Sequence, residues 1–64
     1  MIKINGYKLA SKEEVVKALE NGEDIFYFLD LEQRFSKGKI ETIRAYITGL
    51  YLGPKHGYFL KEKS

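Results

Sequence analysis

One helix in this chain has both of its ends marked. Ser11 and Glu14 stand three apart in the S-x-x-E arrangement, in which each side chain accepts a hydrogen bond from an orphan backbone N–H of the other residue. Glu13 and Glu14 also place negative charge at the positive end of the helix dipole. Val15, Val16 and Leu19 form an apolar stripe that Ala18 widens, and Asn21-Gly22 supplies a residue able to adopt the left-handed cap. A single short helix covers only one side of a sheet, so this segment constrains how every other apolar residue is housed.

The remaining segments read as strands. Ile2 and Ile4 alternate with Lys3, Asn5-Gly6 suits a tight turn, and Tyr7 and Leu9 follow, so residues 1–9 form a short strand or miniature hairpin. Residues 24–31 are a strand by composition, with Ile25, Phe26, Tyr27, Phe28 and Leu29 in an unbroken run. Residues 40–52 carry conflicting signals. Ile40, Ile43, Ile47 and Leu50 fall at helix-compatible spacing, whereas the three isoleucines, Thr42, Tyr46 and Thr48 favour a strand and an internal Gly49 stands against a helix. Ser36-Lys37-Gly38 fits a three-residue hairpin loop, which sets Leu31, Leu29 and Tyr27 opposite Ile43, Ala45 and Ile47 on one face. The same register sets Glu32, Asp30, Phe28 and Phe26 opposite Thr42, Arg44, Tyr46 and Thr48 on the other, and a one-residue slip would scramble both faces. That agreement decides for a strand. Gly53-Pro54-Lys55-His56-Gly57 is a turn, Tyr58-Phe59-Leu60 a final strand, and residues 61–64 a frayed, charged tail. The expectation is one α+β domain over residues 1–64: one short helix packed on one face of a small antiparallel sheet, in the order β-α-β-β-β.

Size and composition narrow the function. A 64-residue chain buries only about 60% of its unfolded surface and has little stability to spare. It has no cysteine and a single histidine, which leaves no disulfides, no thiolate metal site and no two-histidine motif, so neither metal nor cofactor is expected. No apolar run reaches the roughly 20 residues of a membrane span, and the N-terminus lacks the apolar region of a signal peptide, which points to the cytoplasm. Glu23 and Asp24 are sequence neighbours and diverge along an extended chain. His56 sits beside Lys55 in a turn, with no evident neighbour to orient it, and Ser11 and Ser36 are explained by a cap and a turn. An enzyme is not expected.

Charge is segregated along the chain. Residues 11–32 carry seven acids and two bases, and residues 33–64 carry seven bases and two acids. Asymmetry of this kind bears on partners rather than on fold. With the helix on the aliphatic face, Phe26, Phe28 and Tyr46 lie on the opposite face beside Arg44, an aromatic patch of the type that marks a contact surface. The expected function is a non-catalytic protein-binding module. Phe26, Phe28, Arg44 and Tyr46 form its contact, and Arg34, Lys37, Lys39 and Lys55 provide electrostatic steering. Small size and a Lys/Glu/Tyr-rich composition are shared with accessory or inhibitor proteins of viruses and mobile elements. The alternative is single-stranded nucleic-acid binding by the basic, aromatic C-terminal hairpins, with bases stacking on rings and lysines meeting phosphates. A homodimer formed through the aromatic face is a third expectation.

Overall fold

The structure, a computed structural model, describes residues 3, 4 and 6–62. In chain order it contains β1 (Lys3–Ile4), β2 (Tyr7–Leu9), α1 (Lys12–Glu20), β3 (Phe26–Leu29), β4 (Arg34–Lys37), α2 (Ile40–Ile47) and β5 (Tyr58–Lys61). The five strands form one antiparallel sheet in the order β1-β2-β5-β3-β4. The α+β class and antiparallel sheet are as expected. The expected order β-α-β-β-β is corrected, because residues 40–47 are helical and a second helix joins the first.

α1 forms where its caps place it. The Ser11 hydroxyl accepts from the Glu14 N–H at 3.2 Å, and the Glu14 carboxylate accepts from the Ser11 N–H at 2.9 Å. At its other end the Glu23 N–H bonds the Ala18 carbonyl and the Gly22 N–H bonds the Leu19 carbonyl, the paired bonds of a Schellman stop. β1 and β2 pair Ile4 with Tyr7, the expected miniature hairpin. Met1, Ile2 and Asn5 of that hairpin lie outside the described residues. Lys61 belongs to β5 and the Glu62 N–H donates to the Gly6 carbonyl at 2.7 Å, so these two positions of the expected tail are held in the sheet. Lys63 and Ser64 lie outside the described residues.

Two local features overturn the third strand. The chain reverses earlier than the Ser36-Lys37-Gly38 loop required. Asp30–Gln33 makes the turn, with Gln33 at φ 52° and its side-chain amide donating to the Asp30 carbonyl at 2.7 Å. Phe28 therefore pairs with Phe35 and Tyr27 with Ser36, which leaves residues 40–47 free of the hairpin. Downstream, Gly49 is a helix stop rather than an interior strand residue. The Leu50 N–H bonds the Ala45 carbonyl and the Gly49 N–H bonds the Tyr46 carbonyl, the same Schellman pair that ends α1. The isoleucine spacing then has its helical meaning, with Ile43 buried and Ile47 half-buried against the core.

β2 and β3 both run antiparallel to β5 and flank it, so α1 carries the chain across one face of the sheet while leaving a gap that β5 later fills. Both helices pack on that face. Val15 and Ala18 of α1, Ile43 of α2, and Ala10, Ile25 and Tyr58 form the buried core, with Leu19, Tyr27, Tyr46, Ile47 and Leu60 packed around it.

The loop after α2 is fixed by contact as well as by backbone geometry. Gly49 and Gly53 both have positive φ, at 85° and 95°. A Cβ at Gly49 meets nothing within 4 Å, whereas one at Gly53 falls 2.9 Å from Cε1 of Tyr46, whose ring packs edge-on against Tyr58. Alanine at either site carries a left-handed backbone cost of about 1–2 kcal/mol, and at Gly53 it must also displace the ring. In urea unfolding, Gly53→Ala lowers the midpoint more than Gly49→Ala does. Equal midpoints would contradict the seating of this loop on Tyr46.

Candidate interaction surface

Strand pairing fixes what lies on the face without helices. Phe26 pairs with Phe59, Phe59 with Leu9, and Phe28 with Phe35, so these residues share that face, together with Tyr7 and Lys61 one pleat away. Their rings close on one another. Phe35 stacks on Tyr7 at 4.1 Å between centroids, and meets Phe28 at 5.2 Å and Phe59 at 5.0 Å edge-on, while Tyr7 meets Phe26 at 5.0 Å. Tyr7 and Phe35 sit on β2 and β4, with β5 and β3 between them, so the sheet curls to bring them together. Phe59 is 2% exposed beneath this roof, and the other four rings are half-buried. On this face Phe59 is sealed, while the four rings above it stay partly open and no described helix covers them.

The expected contact set is divided. Phe26 and Phe28 belong to the ring cluster, as their strand parity predicted. Tyr46 and Arg44 lie on α2, across the sheet. Tyr46 packs on Tyr58 and has the Lys12 ammonium 5.2 Å from its ring centroid, while Arg44 is exposed. Of the four steering cations, Lys37 pairs with Asp24 at 3.0 Å and Lys55 with Asp30 at 3.7 Å, and Arg34 and Lys39 are exposed at the starts of β4 and α2.

A different apolar surface emerges at the loops. Leu31, Leu50 and Leu52 are 97%, 85% and 97% exposed, and Tyr51 between the last two is partly open. The sequence reading placed Leu31 on a buried strand face. In the structure it occupies the β3–β4 turn, where no element covers it. Asp30 joins the two loops, because its carboxylate accepts a 2.7 Å hydrogen bond from His56 Nε2 and lies 3.7 Å from the Lys55 ammonium. His56 therefore does have an orienting neighbour, contrary to expectation, and its ring also meets the edge of Phe28 at 5.8 Å. Both partners of this pair stay open to solvent, and the structure gives His56 no hydrogen bond to a nucleophile. The leucines were legible only as residues flanking turn formers, such as Leu52 beside Gly53-Pro54.

The clasp has a titration signature. The hydrogen bond from His56, assisted by the charges of His56 and Lys55, holds the Asp30 carboxyl below the usual carboxylate range. A carboxyl whose pKa is depressed by folding contributes stability above its unfolded value and loses it as pH falls through the folded value. In a carbon-detected NMR titration, His56→Ala raises the Asp30 midpoint and narrows that acid-side loss. An unchanged midpoint would remove the clasp.

Among the described residues no group of three acidic, histidine or cysteine side chains could hold a metal ion, and no helix is long and apolar enough to cross a membrane. No protein-family model, curated protein or solved structure matches the chain.

Proposed function

We propose that this chain is a non-catalytic protein-binding module whose contact surface is the leucine-bearing pair of loops. The observation that carries the reading is the near-complete exposure of Leu31, Leu50 and Leu52 on two loops that the Asp30 clasp holds together. Isolated exposed leucines are ordinary, but three so fully exposed on two linked loops offer apolar area that a partner would desolvate.

Magnitudes set the extent of such a contact. Full burial of a leucine side chain is worth about 1.5–3 kcal/mol, whereas association costs at least about 4 kcal/mol in lost translational and rotational freedom. Three leucines alone leave little surplus. The contact therefore extends to Tyr51 and to the Phe28 edge reached through His56, with Arg34 and Lys55 at the rim. A cysteine-free chain is compatible with a partner in the cytoplasm, and the shared size and composition with viral and mobile-element accessory proteins fits an inhibitor or accessory role.

Single-stranded nucleic-acid binding has weaker support. Phe59 is sealed and Phe35 is engaged by three other rings, so neither offers a free stacking face. Lys37 and Lys55 already face carboxylates.

The test is a comparative capture experiment with Leu31→Lys and with the double variant Leu50→Lys/Leu52→Lys. These positions are exposed, so both variants keep wild-type unfolding midpoints, within about 0.5 kcal/mol. A partner retained by the wild type and lost by both variants is the expected result. Equal capture by all three proteins would exclude the surface. A wild-type dimer in light scattering that both variants dissolve would assign the leucines to self-association instead.

A further inference from the structure

β4 ends the sheet. It pairs with β3 on one side and, among the described residues, with no strand on the other. The Gly38 N–H donates to the Ile25 carbonyl at 2.7 Å, one residue beyond the Phe26–Lys37 pair. The hydrogen-bonded pairs of this ladder are therefore Ile25–Gly38, Tyr27–Ser36 and Leu29–Arg34. The N–H and C=O groups of Phe35 and Lys37 point outward instead, and no described residue meets them with a hydrogen bond. Two donors and two acceptors in an extended row are a template for another strand.

Pleat parity sets what an added strand would touch. Phe35 and Lys37 lie on the ring face, and Arg34 and Ser36 on the helical face. Residues 33–40 carry Arg34, Lys37 and Lys39 and no acid, and all three cations are exposed. Lys37 also pairs with Asp24 at 3.0 Å, but its side chain stays more than half exposed, which leaves the ammonium reachable. Glu32 in the preceding turn and Glu41 in α2 are the nearest acids along the chain. Pairing β4 with β4 of a second copy would set two Arg34 and two Lys37 along one seam, which like-charge repulsion disfavours. The same charges attract an acidic strand.

We infer that β4 accepts an extended acidic segment of a partner protein as a sixth, antiparallel strand. An apolar residue of that segment exchanges both backbone bonds with Phe35 and lies beside its half-buried ring, extending the cover over the ring cluster. Antiparallel register then places an acid two residues earlier, opposite Lys37, and a second acid one residue later, opposite Arg34. The residue opposite Ser36 turns to the helical face. There a groove of about 410 Å³, lined in part by Ser36, Tyr27, Thr42, Tyr51 and Pro54, leaves room for its side chain. Main-chain bonds supply the affinity of such a contact, and the acid-x-apolar-acid pattern supplies its specificity. This edge does not rest on the leucine loops, with which it shares only Arg34 at the rim.

The experiment is an amide NMR titration of the full chain with a capped Thr-Glu-Thr-Val-Glu-Thr peptide. Saturable shifts and slowed hydrogen exchange are expected at the outward Phe35 and Lys37 amides. N-methylation of the peptide valine keeps the charge, removes the bond to the Phe35 carbonyl, and weakens binding about fivefold. Replacing both peptide glutamates with lysine abolishes saturation, and Arg34→Glu weakens binding about threefold. Shifts that leave the Phe35 and Lys37 amides unmoved, or equal binding by the methylated peptide, would overturn strand addition. Equal binding by the lysine peptide would overturn the acidic pattern. Shifts at the same two amides when the protein alone is concentrated would assign the edge to a second copy instead.

Discussion

The last strand of the chain is the first requirement of the fold. β5 lies between β2 and β3, and its first two residues, Tyr58 and Phe59, point to opposite faces and are each 2% exposed. Tyr58 closes the helical core and Phe59 sits beneath the aromatic roof. Without β5, β2 and β3 share no hydrogen bond, and the rows Leu9–Phe59–Phe26 and Tyr58–Tyr27 that join the two halves of the sheet do not exist. This insertion depends on contacts distant in sequence, so its loop-closure entropy must be offset by the burial of Tyr58 and Phe59.

What could be read in the sequence follows from how local each determinant is. α1 was legible because its start and stop are chemical: a serine and glutamate three apart, then Asn21-Gly22. The Phe26–Leu29 strand was legible because alternation alone places Phe26 and Phe28 on one side and Tyr27 on the other. α2 was not, because three isoleucines and two threonines carry strand propensity that tertiary packing overrides once Ile43 is buried. Its stop, Thr48-Gly49, is the counterpart of Asn21-Gly22. Its start has no capping residue, and Lys39 gave the sequence reading nothing to recognise. The real reversal at Asp30–Gln33 depends on a non-glycine residue at positive φ, which turn chemistry does not favour. Once that turn was missed, Phe28 was set opposite Tyr46 instead of Phe35, and the contact site inherited the error.

The charge segregation also changes meaning in three dimensions. Asp24 meets Lys37, and Asp30 meets both Lys55 and His56, so these pairs join the acidic stretch to the basic one. Exposed pairs of this kind contribute only about 0–1 kcal/mol each. Their importance lies in geometry. The first ties Asp24, two residues before β3, to the end of β4, and the second ties the β3–β4 turn to the loop before β5. Part of what looked like surface prepared for a charged partner is used within the molecule.

A domain of this size gains from every apolar residue it can enclose, and this one encloses them unevenly. One sheet face is closed by two helices, and on the other the half-buried rings of Tyr7, Phe26, Phe28 and Phe35 pack over Phe59. Three leucines are nevertheless left outside, on loops that the Asp30 clasp and the seating of Gly53 against Tyr46 hold in defined positions. Loops that served only as connections would have no need of leucine at their tips, since polar turn residues would satisfy the same backbone. Apolar side chains presented on restrained backbone lose less conformational freedom when they are covered than the same side chains on slack loops. The fold has no use for these leucines, yet it restrains the loops that carry them.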